Sequence, residues 1–127
     1  MIKILMIAVG GGAGALLRYL VSGVVHAVAD TPFPLGTLVV NVIGCFLTGS
    51  LGAYFAGPQL VREEVRITLF VGVLGAFTTF SSFSWETLSL AKDGDIRLAL
   101  VNVVLNNVLA LTALWFGYRV TEKWFGA

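Results

Sequence analysis

The chain has 127 residues, of which 57% are hydrophobic and only 12% are charged, and its formal net charge is +1. A soluble domain carries about 25% charged residues, so most of this chain is expected to face lipid or other protein. The small net charge and the lack of a basic run argue against a nucleic-acid partner. A single cysteine, Cys45, and a single histidine, His26, exclude an internal disulfide and a Cys/His metal cluster.

Four apolar stretches divide the chain, at about residues 4–25, 35–56, 67–91 and 96–120. Each approaches the ~20 residues that a helix needs to cross the hydrocarbon core of a bilayer. The connections between them are short and leave no room for a soluble domain. We therefore expect an all-α membrane protein, with residues 1–127 forming one four-span domain in the cell membrane, and no enzymatic activity.

The flanking charges give only a weak signal for orientation. With four spans, both termini lie on the side of the second connection, which carries more lysine and arginine than the opposite side. This bias favours cytoplasmic termini, but Glu63 and Glu64 reduce it. A chain so evenly charged is compatible with insertion in both orientations.

The first span combines glycines with an arginine. Gly10 and Gly14 form a small-xxx-small pair, which is typical of close helix packing. Arg18 continues along the same face, and a charge inside a span is costly unless it reaches a cavity, a partner or the interface. Two interpretations remain open for Arg18: it extends to the interface, or it raises the potential of a water-filled vestibule and attracts anions.

The second and fourth spans each carry a polar face. Thr37, Asn41 and Gly44 share one helical face of the second span, and Asn102 and Asn106 share one face of the fourth. An amide at membrane depth needs a partner. Asn41 therefore either binds another helix through an interhelical hydrogen bond or donates its NH₂ hydrogens to a passing solute.

The third span contains GAFTTFSSFSW at residues 75–85, which mixes hydroxyl residues with three phenylalanines. Threonine and serine are poor helix formers, so Gly72, Gly75 and the two threonines that follow predict a break near the middle of this helix. Non-helical backbone at this depth is tolerated where it lines a cavity or is buried in protein. Phe80 and Phe83 would project from nearly the same face, and their electropositive ring edges suit a small anion; plain packing is the alternative.

These motifs identify a resemblance. GGGAGALLRY in the first span, GTLVVNVIGCF in the second and GAFTTFSSFSWE in the third resemble the Fluc (also called CrcB) fluoride channel family over essentially the whole chain. The resemblance implies a passive fluoride-selective channel, assembled in the bilayer as an antiparallel, dual-topology homodimer, that exports cytoplasmic fluoride and protects against its toxicity.

The resemblance also implies roles for individual residues. It assigns the fluoride path to Phe80, Phe83, Asn41, Ser81, Ser84, Thr37 and Asn106. It places Arg18 in the vestibule, and it places a structural Na⁺ at the dimer centre, held by the backbone carbonyls of Gly75 and Thr78. The fourth span departs from the family pattern, since Asn106 stands where other members carry a small hydroxyl residue and Ala110 has no hydroxyl. Cys45 stands where serine is expected.

Two other classes of function are weighed against the channel. A small four-span drug or cation antiporter would use a carboxylate in its first span, where this chain has Arg18 and no acid. A non-transporting assembly subunit would use the polar faces for packing alone.

Overall fold

The computed structural model describes residues 1–126, in which all regular structure is helical. The first span is α1 (Ile2–Val28) and the second is α2 (Leu35–Ala56). The fourth span is α6 (Ile96–Phe125). The third span is composite and contains, in order, α3 (Glu63–Ile67), a π-helical segment (Thr68–Leu74), α4 (Gly75–Phe77) and α5 (Phe80–Lys92).

All four spans are long and apolar enough to cross a membrane, which confirms the prediction of a four-span, multi-pass membrane protein. The helices extend beyond the apolar stretches. α1 begins at Ile2 and α6 continues to Phe125, because residues such as Lys3 and Lys123 can remain helical while their charged ends reach the interface.

The third span is interrupted at Thr78 and Thr79, as predicted. Thr78 has φ −77° and ψ 158°, and Thr79 has φ −152° and ψ 116°, so both residues are extended. The span bends by 15° overall; the two halves therefore remain roughly in line across the break. The π-helical segment before the break was not predicted, and its wider turns are the kind of local irregularity that often accompanies functional sites.

Glycines set the closest helix contacts. A Cβ atom at Gly14 of α1 would overlap the Val73 carbonyl in the π-helical segment, and a Cβ at Gly49 of α2 would overlap the Leu114 carbonyl of α6. A Cβ at Gly10 would lie 3.0 Å from the Thr68 side chain. The packing interpretation of the Gly10–Gly14 pair is therefore confirmed, and α1 lies directly on the third span.

Lys3 and Phe125, near the beginning and end of the described residues, lie at the same end of the bundle as the second connection. Lys3 Nζ lies 3.2 Å from a carboxylate oxygen of Glu63, and Gln59 Nε2 donates a hydrogen bond to the Phe125 carbonyl at 3.2 Å. The opposite end holds the tight turn between α5 and α6, where Gly94 has a φ of +90° that favours glycine. Which end faces the cytoplasm stays a prediction.

The interior of the chain is small and unusually polar. Within residues 1–126, only nine hydrophobic side chains are buried, and four polar ones share the interior with them: Thr37, Thr79, Asn102 and Asn106. Buried polar groups require hydrogen-bond partners, and more strictly in a bilayer than in water. Of these four residues, Thr79 forms part of the break in the third span.

The contact between α1 and the third span can be tested with a matched glycine pair. We expect Gly14→Ala to lower the melting temperature of the purified protein, because the new methyl group meets backbone that cannot rotate away; overpacking typically costs about 1–3 kcal/mol. Gly12→Ala is the control, since a Cβ at Gly12 meets nothing within 4 Å. Circular dichroism in detergent measures both, and equal melting temperatures would contradict the close contact.

Candidate ion path at the broken helix

Asn41 of α2 bonds both backbone groups of Thr79. The Thr79 N–H donates to Asn41 Oδ1 at 2.8 Å, and Asn41 Nδ2 donates to the Thr79 carbonyl at 3.0 Å. The other hydrogen of Nδ2 goes to Asn106 Oδ1 at 3.1 Å. Because both amide hydrogens are used, an ion reaches one of them only by displacing a protein acceptor. The interhelical interpretation of Asn41 is therefore confirmed, and its role as a donor to a passing ion stays a prediction.

Asn106 extends these contacts along α6. Its Nδ2 donates to Asn102 Oδ1 at 2.8 Å and to the Asn102 carbonyl at 3.2 Å. Both residues are buried, Asn102 completely. The polar face predicted on α6 therefore packs against the break and carries an amide chain that starts at Asn41.

A groove of about 230 Å³, here called the amide groove, opens beside this chain. Its lining includes four of the residues predicted for the fluoride path, which are Asn41, Phe80, Phe83 and Asn106, together with Cys45, Thr78, Thr79 and Asn107 from the same region. Among residues 1–126, no charged side chain lines it. The ring centroids of Phe80 and Phe83 lie 5.1 Å apart with the ring planes at 58°. Phe83 is 6% exposed, whereas Phe80 is 75% exposed.

The other predicted residues lie elsewhere. Thr37 and Arg18 line a second groove, here called the arginine groove, together with Ser82 and Glu86. Thr37 Oγ1 donates to Glu86 Oε1 at 2.6 Å, so its hydroxyl hydrogen is committed to a carboxylate. Thr79 lines both grooves and therefore lies between them.

Ser81 and Ser84 line neither groove. Both are exposed, and Ser84 Oγ donates to the Phe80 carbonyl of its own helix at 2.8 Å. Ser81 Oγ lies 3.3 Å from Thr79 Oγ1. A path that uses these two hydroxyls would therefore run along the exposed surface of α5, outside both grooves. The assignment of Ser81 and Ser84 to the fluoride path stays a prediction.

The break leaves the last backbone carbonyls before it without their helical donors, and Gly75 and Thr78 are two of these. The Thr79 N–H, which would bond the Gly75 carbonyl in a continuous helix, bonds Asn41 instead. The Ser82 N–H bonds Thr79 Oγ1, as in a helix N-cap, and so does not meet the Thr78 carbonyl. Arg18 Nη1 approaches the Thr78 carbonyl at 3.5 Å. Carbonyls at an unwound helix are the type of oxygen ligand that binds Na⁺ in membrane proteins. The Gly75 and Thr78 carbonyls are of this type, and Arg18 shares the Thr78 carbonyl.

Sequence reasoning missed Thr87 as part of this region, and it assigned no individual site role to Thr79 or Asn102. Thr79 is signalled by the N-cap pattern, a hydroxyl residue at the start of a helix whose oxygen accepts the third N–H. For Asn102 the sequence predicts the correct face of α6 and the need for a partner, and in the structure its partners are Asn106 and Thr87. Thr87, which accepts from Asn102 Nδ2 at 2.9 Å, carries no signal in the sequence, because only the packing of α5 on α6 brings the two together.

Four membrane helices, one of them broken beside a polar groove, define a class: an integral membrane protein whose non-helical backbone at membrane depth is buried in protein or lines a polar cavity. The sequence model of the family described as CrcB-like protein, Camphor Resistance (CrcB), matches residues 5–118. The chain belongs to the CrcB family. This membership agrees with the resemblance and not with the antiporter alternative.

Three curated relatives match over nearly their whole length. A protein of Geobacter sulfurreducens is 46% identical over 123 residues, which cover 97% of this chain and 99% of the relative. A protein of Pyrococcus abyssi is 45% identical over 120 residues, covering 94% of this chain and 95% of the relative. A protein of Solibacter usitatus is 41% identical, covering 95% and 99%. All three are named fluoride-specific ion channel FluC.

Because Asn41 bonds the backbone at the break, we predict that substitution of Asn41 strongly lowers the stability of the folded protein. We expect Asn41→Leu to lower the melting temperature in detergent strongly, because both backbone groups of Thr79 lose their partner and an orphaned buried group costs about 1–3 kcal/mol. The matched control is Asn107→Leu, since the Asn107 amide bonds only the Val103 carbonyl of its own helix. Equal effects of the two substitutions would refute the role of Asn41.

Proposed function

We propose that this protein is a passive, fluoride-selective channel that exports cytoplasmic fluoride down its electrochemical gradient and so protects the cell from fluoride. The observation that carries the proposal is the amide groove, where Phe80 and Phe83 line an uncharged wall beside the break. The names of the curated relatives support it.

The chemistry of the groove suits a small, strongly hydrated anion. Selective passage requires enough positive ends to replace the hydration shell, and weak enough binding to release the ion. Ring edges provide electropositive C–H groups, and α5 begins at Phe80, so the positive end of its dipole lies at the groove. In the part of the chain that the structure describes, no carboxylate lines the groove to repel an anion, and no lysine or arginine lines it to trap one.

The direction of transport follows from acid–base chemistry and the membrane potential. Fluoride enters a cell as the neutral weak acid and ionises inside. A potential that is negative inside favours exit of the anion, by about 2.3 kcal/mol per elementary charge for each 100 mV. A passive path is therefore sufficient for export.

We propose further that two copies assemble as an antiparallel, dual-topology homodimer. Phe80 is 75% exposed although its ring pairs with buried Phe83, and the amide groove opens at the surface of a single chain. Polar lining cannot face acyl chains without cost, which favours a second copy as the cover. The weak charge bias permits opposite orientations of the two copies.

Na⁺ is proposed as a structural ion at the dimer centre, held by the Gly75 and Thr78 carbonyls of both copies. A bound cation there supplies positive charge that satisfies the oxygens released by the break. Arg18 approaches the same Thr78 carbonyl and lines the arginine groove. We propose that this groove is the vestibule, in which the Arg18 charge raises the local anion concentration.

Flux from loaded liposomes tests the function. We expect the reconstituted protein to release fluoride rapidly and electrogenically and to retain chloride. Phe83→Ile should slow fluoride release at least about tenfold, because an aliphatic side chain lacks the ring edge. Phe116→Ile is the control, since Phe116 is exposed on α6 and pairs with Phe46 away from the groove. Absence of fluoride release by the wild-type protein refutes the channel, and wild-type rates in Phe83→Ile refute the ring-edge contact.

Removal of sodium tests the proposed ion site. Purification in choline in place of sodium, at equal ionic strength, is expected to shift the protein from dimer to monomer, because the carbonyls released by the break then lose their cation. Size-exclusion chromatography with light scattering measures the dimer fraction, and return of sodium should restore it. A dimer fraction that does not depend on sodium counts against the site.

A further inference from the structure

The amide chain that begins at Thr79 returns to the same helix one turn later. Beyond Asn106, Asn102 Nδ2 donates to Thr87 Oγ1 at 2.9 Å, and Thr87 Oγ1 donates to the Phe83 carbonyl at 2.8 Å. The chain therefore leaves the third span at the Thr79 N–H, passes through α2 and α6, and closes on the Phe83 carbonyl. The turn enclosed by these two ends carries both Phe80 and Phe83.

The direction of every bond in this loop follows from its first member. The Thr79 N–H can only donate, so Asn41 must present its oxygen to Thr79 and its NH₂ to Asn106. Asn106 then presents its oxygen to Asn41 and its NH₂ to Asn102.

The last two members obey the same rule. Asn102 presents its oxygen to Asn106, and its NH₂ therefore faces Thr87. The Thr87 hydroxyl accepts from Asn102 and has its single hydrogen left for the Phe83 carbonyl. If any one amide were reversed, two donors or two acceptors would face each other. Water could not relieve such a mismatch at Asn102, because this side chain has no exposed surface.

We propose that Asn102 and Thr87 are positioning residues of the ion path. They touch no ion themselves. They close the loop that holds the amides of Asn41 and Asn106 in one orientation and anchors the first turn of α5, and thereby set the position of the two phenylalanine rings. The flux consequence of this inference rests on the proposed channel function, whereas its structural consequence does not.

The hydroxyl of Thr87 is the point at which the loop can be opened with least disturbance. Valine has the shape of threonine without the hydroxyl, so Thr87→Val leaves the Asn102 NH₂ without an acceptor and the Phe83 carbonyl without a side-chain donor. Thr87→Ser retains the hydroxyl and loses only a methyl group. Thr112→Val is the matched control, because Thr112 is exposed on α6.

Two measurements on the full-length reconstituted protein test the proposal. Amide hydrogen exchange, read by mass spectrometry on peptides that contain residues 79–84, reports the order of the first turn of α5. Fluoride release from liposomes reports the path. We expect Thr87→Val to accelerate the exchange and to slow the release, each by about tenfold, since an orphaned buried amide costs about that factor or more. Thr87→Ser and Thr112→Val should stay within about twofold of the wild-type protein in both.

The outcomes separate a positioning role from a general structural one. Unchanged exchange in Thr87→Val overturns the proposal, and so does faster exchange with wild-type flux. Equal defects in Thr87→Ser and Thr87→Val also overturn it, because the hydroxyl would then not be the group that matters. If Thr87→Val does not fold, Thr87→Ala removes the same hydroxyl without adding a methyl group and is judged by the same criteria. A wild-type protein that releases no fluoride refutes the channel function alone, and the exchange result still decides whether Thr87 anchors the turn.

Discussion

The broken third span depends on the amide of Asn41. An interruption of a membrane helix exposes an N–H and a C=O where no water is present, and each unsatisfied group costs several kcal/mol. A carboxamide carries a donor and an acceptor side by side, so one Asn41 side chain satisfies both groups of Thr79. The neighbouring turn of α2 must then approach closely, and a Cβ at Gly44 would overlap the Thr78 side chain. The polar and small face of α2 follows from this requirement.

The break also divides the region electrostatically. The helix that ends at Phe77 directs its carbonyls, and the negative end of its dipole, toward the side where Arg18 approaches Thr78. The helix that begins at Phe80 directs its N–H groups and its positive end toward the amide groove. Thr79 belongs to both grooves. A single interruption therefore places a negative helix end on the side of Arg18 and a positive helix end at the amide groove.

The sequence predicted what depends on periodicity and on local backbone preference. Apolar length predicted four spans, helical spacing predicted the faces of Asn41 and Asn106, and glycines followed by threonines predicted the break. It did not predict how each hydroxyl is used, because a helical serine or threonine can bond its own preceding turn, a neighbour or a solute. Ser84 bonds its own helix and Thr37 bonds Glu86, and only tertiary packing decides between these choices.

The amide at position 106 changes which helix can offer donors to an anion. A small hydroxyl at this place, which the resemblance implies for other family members, would be too short to bridge Asn41 and Asn102. Asn106 bridges them, spends both hydrogens on Asn102 and gives its oxygen to Asn41. The side chain at 106 thus contributes no donor to the groove. The donors that remain nearest to the break belong to the first turn of α5, which is the turn that the closed loop of amides and Thr87 holds in place.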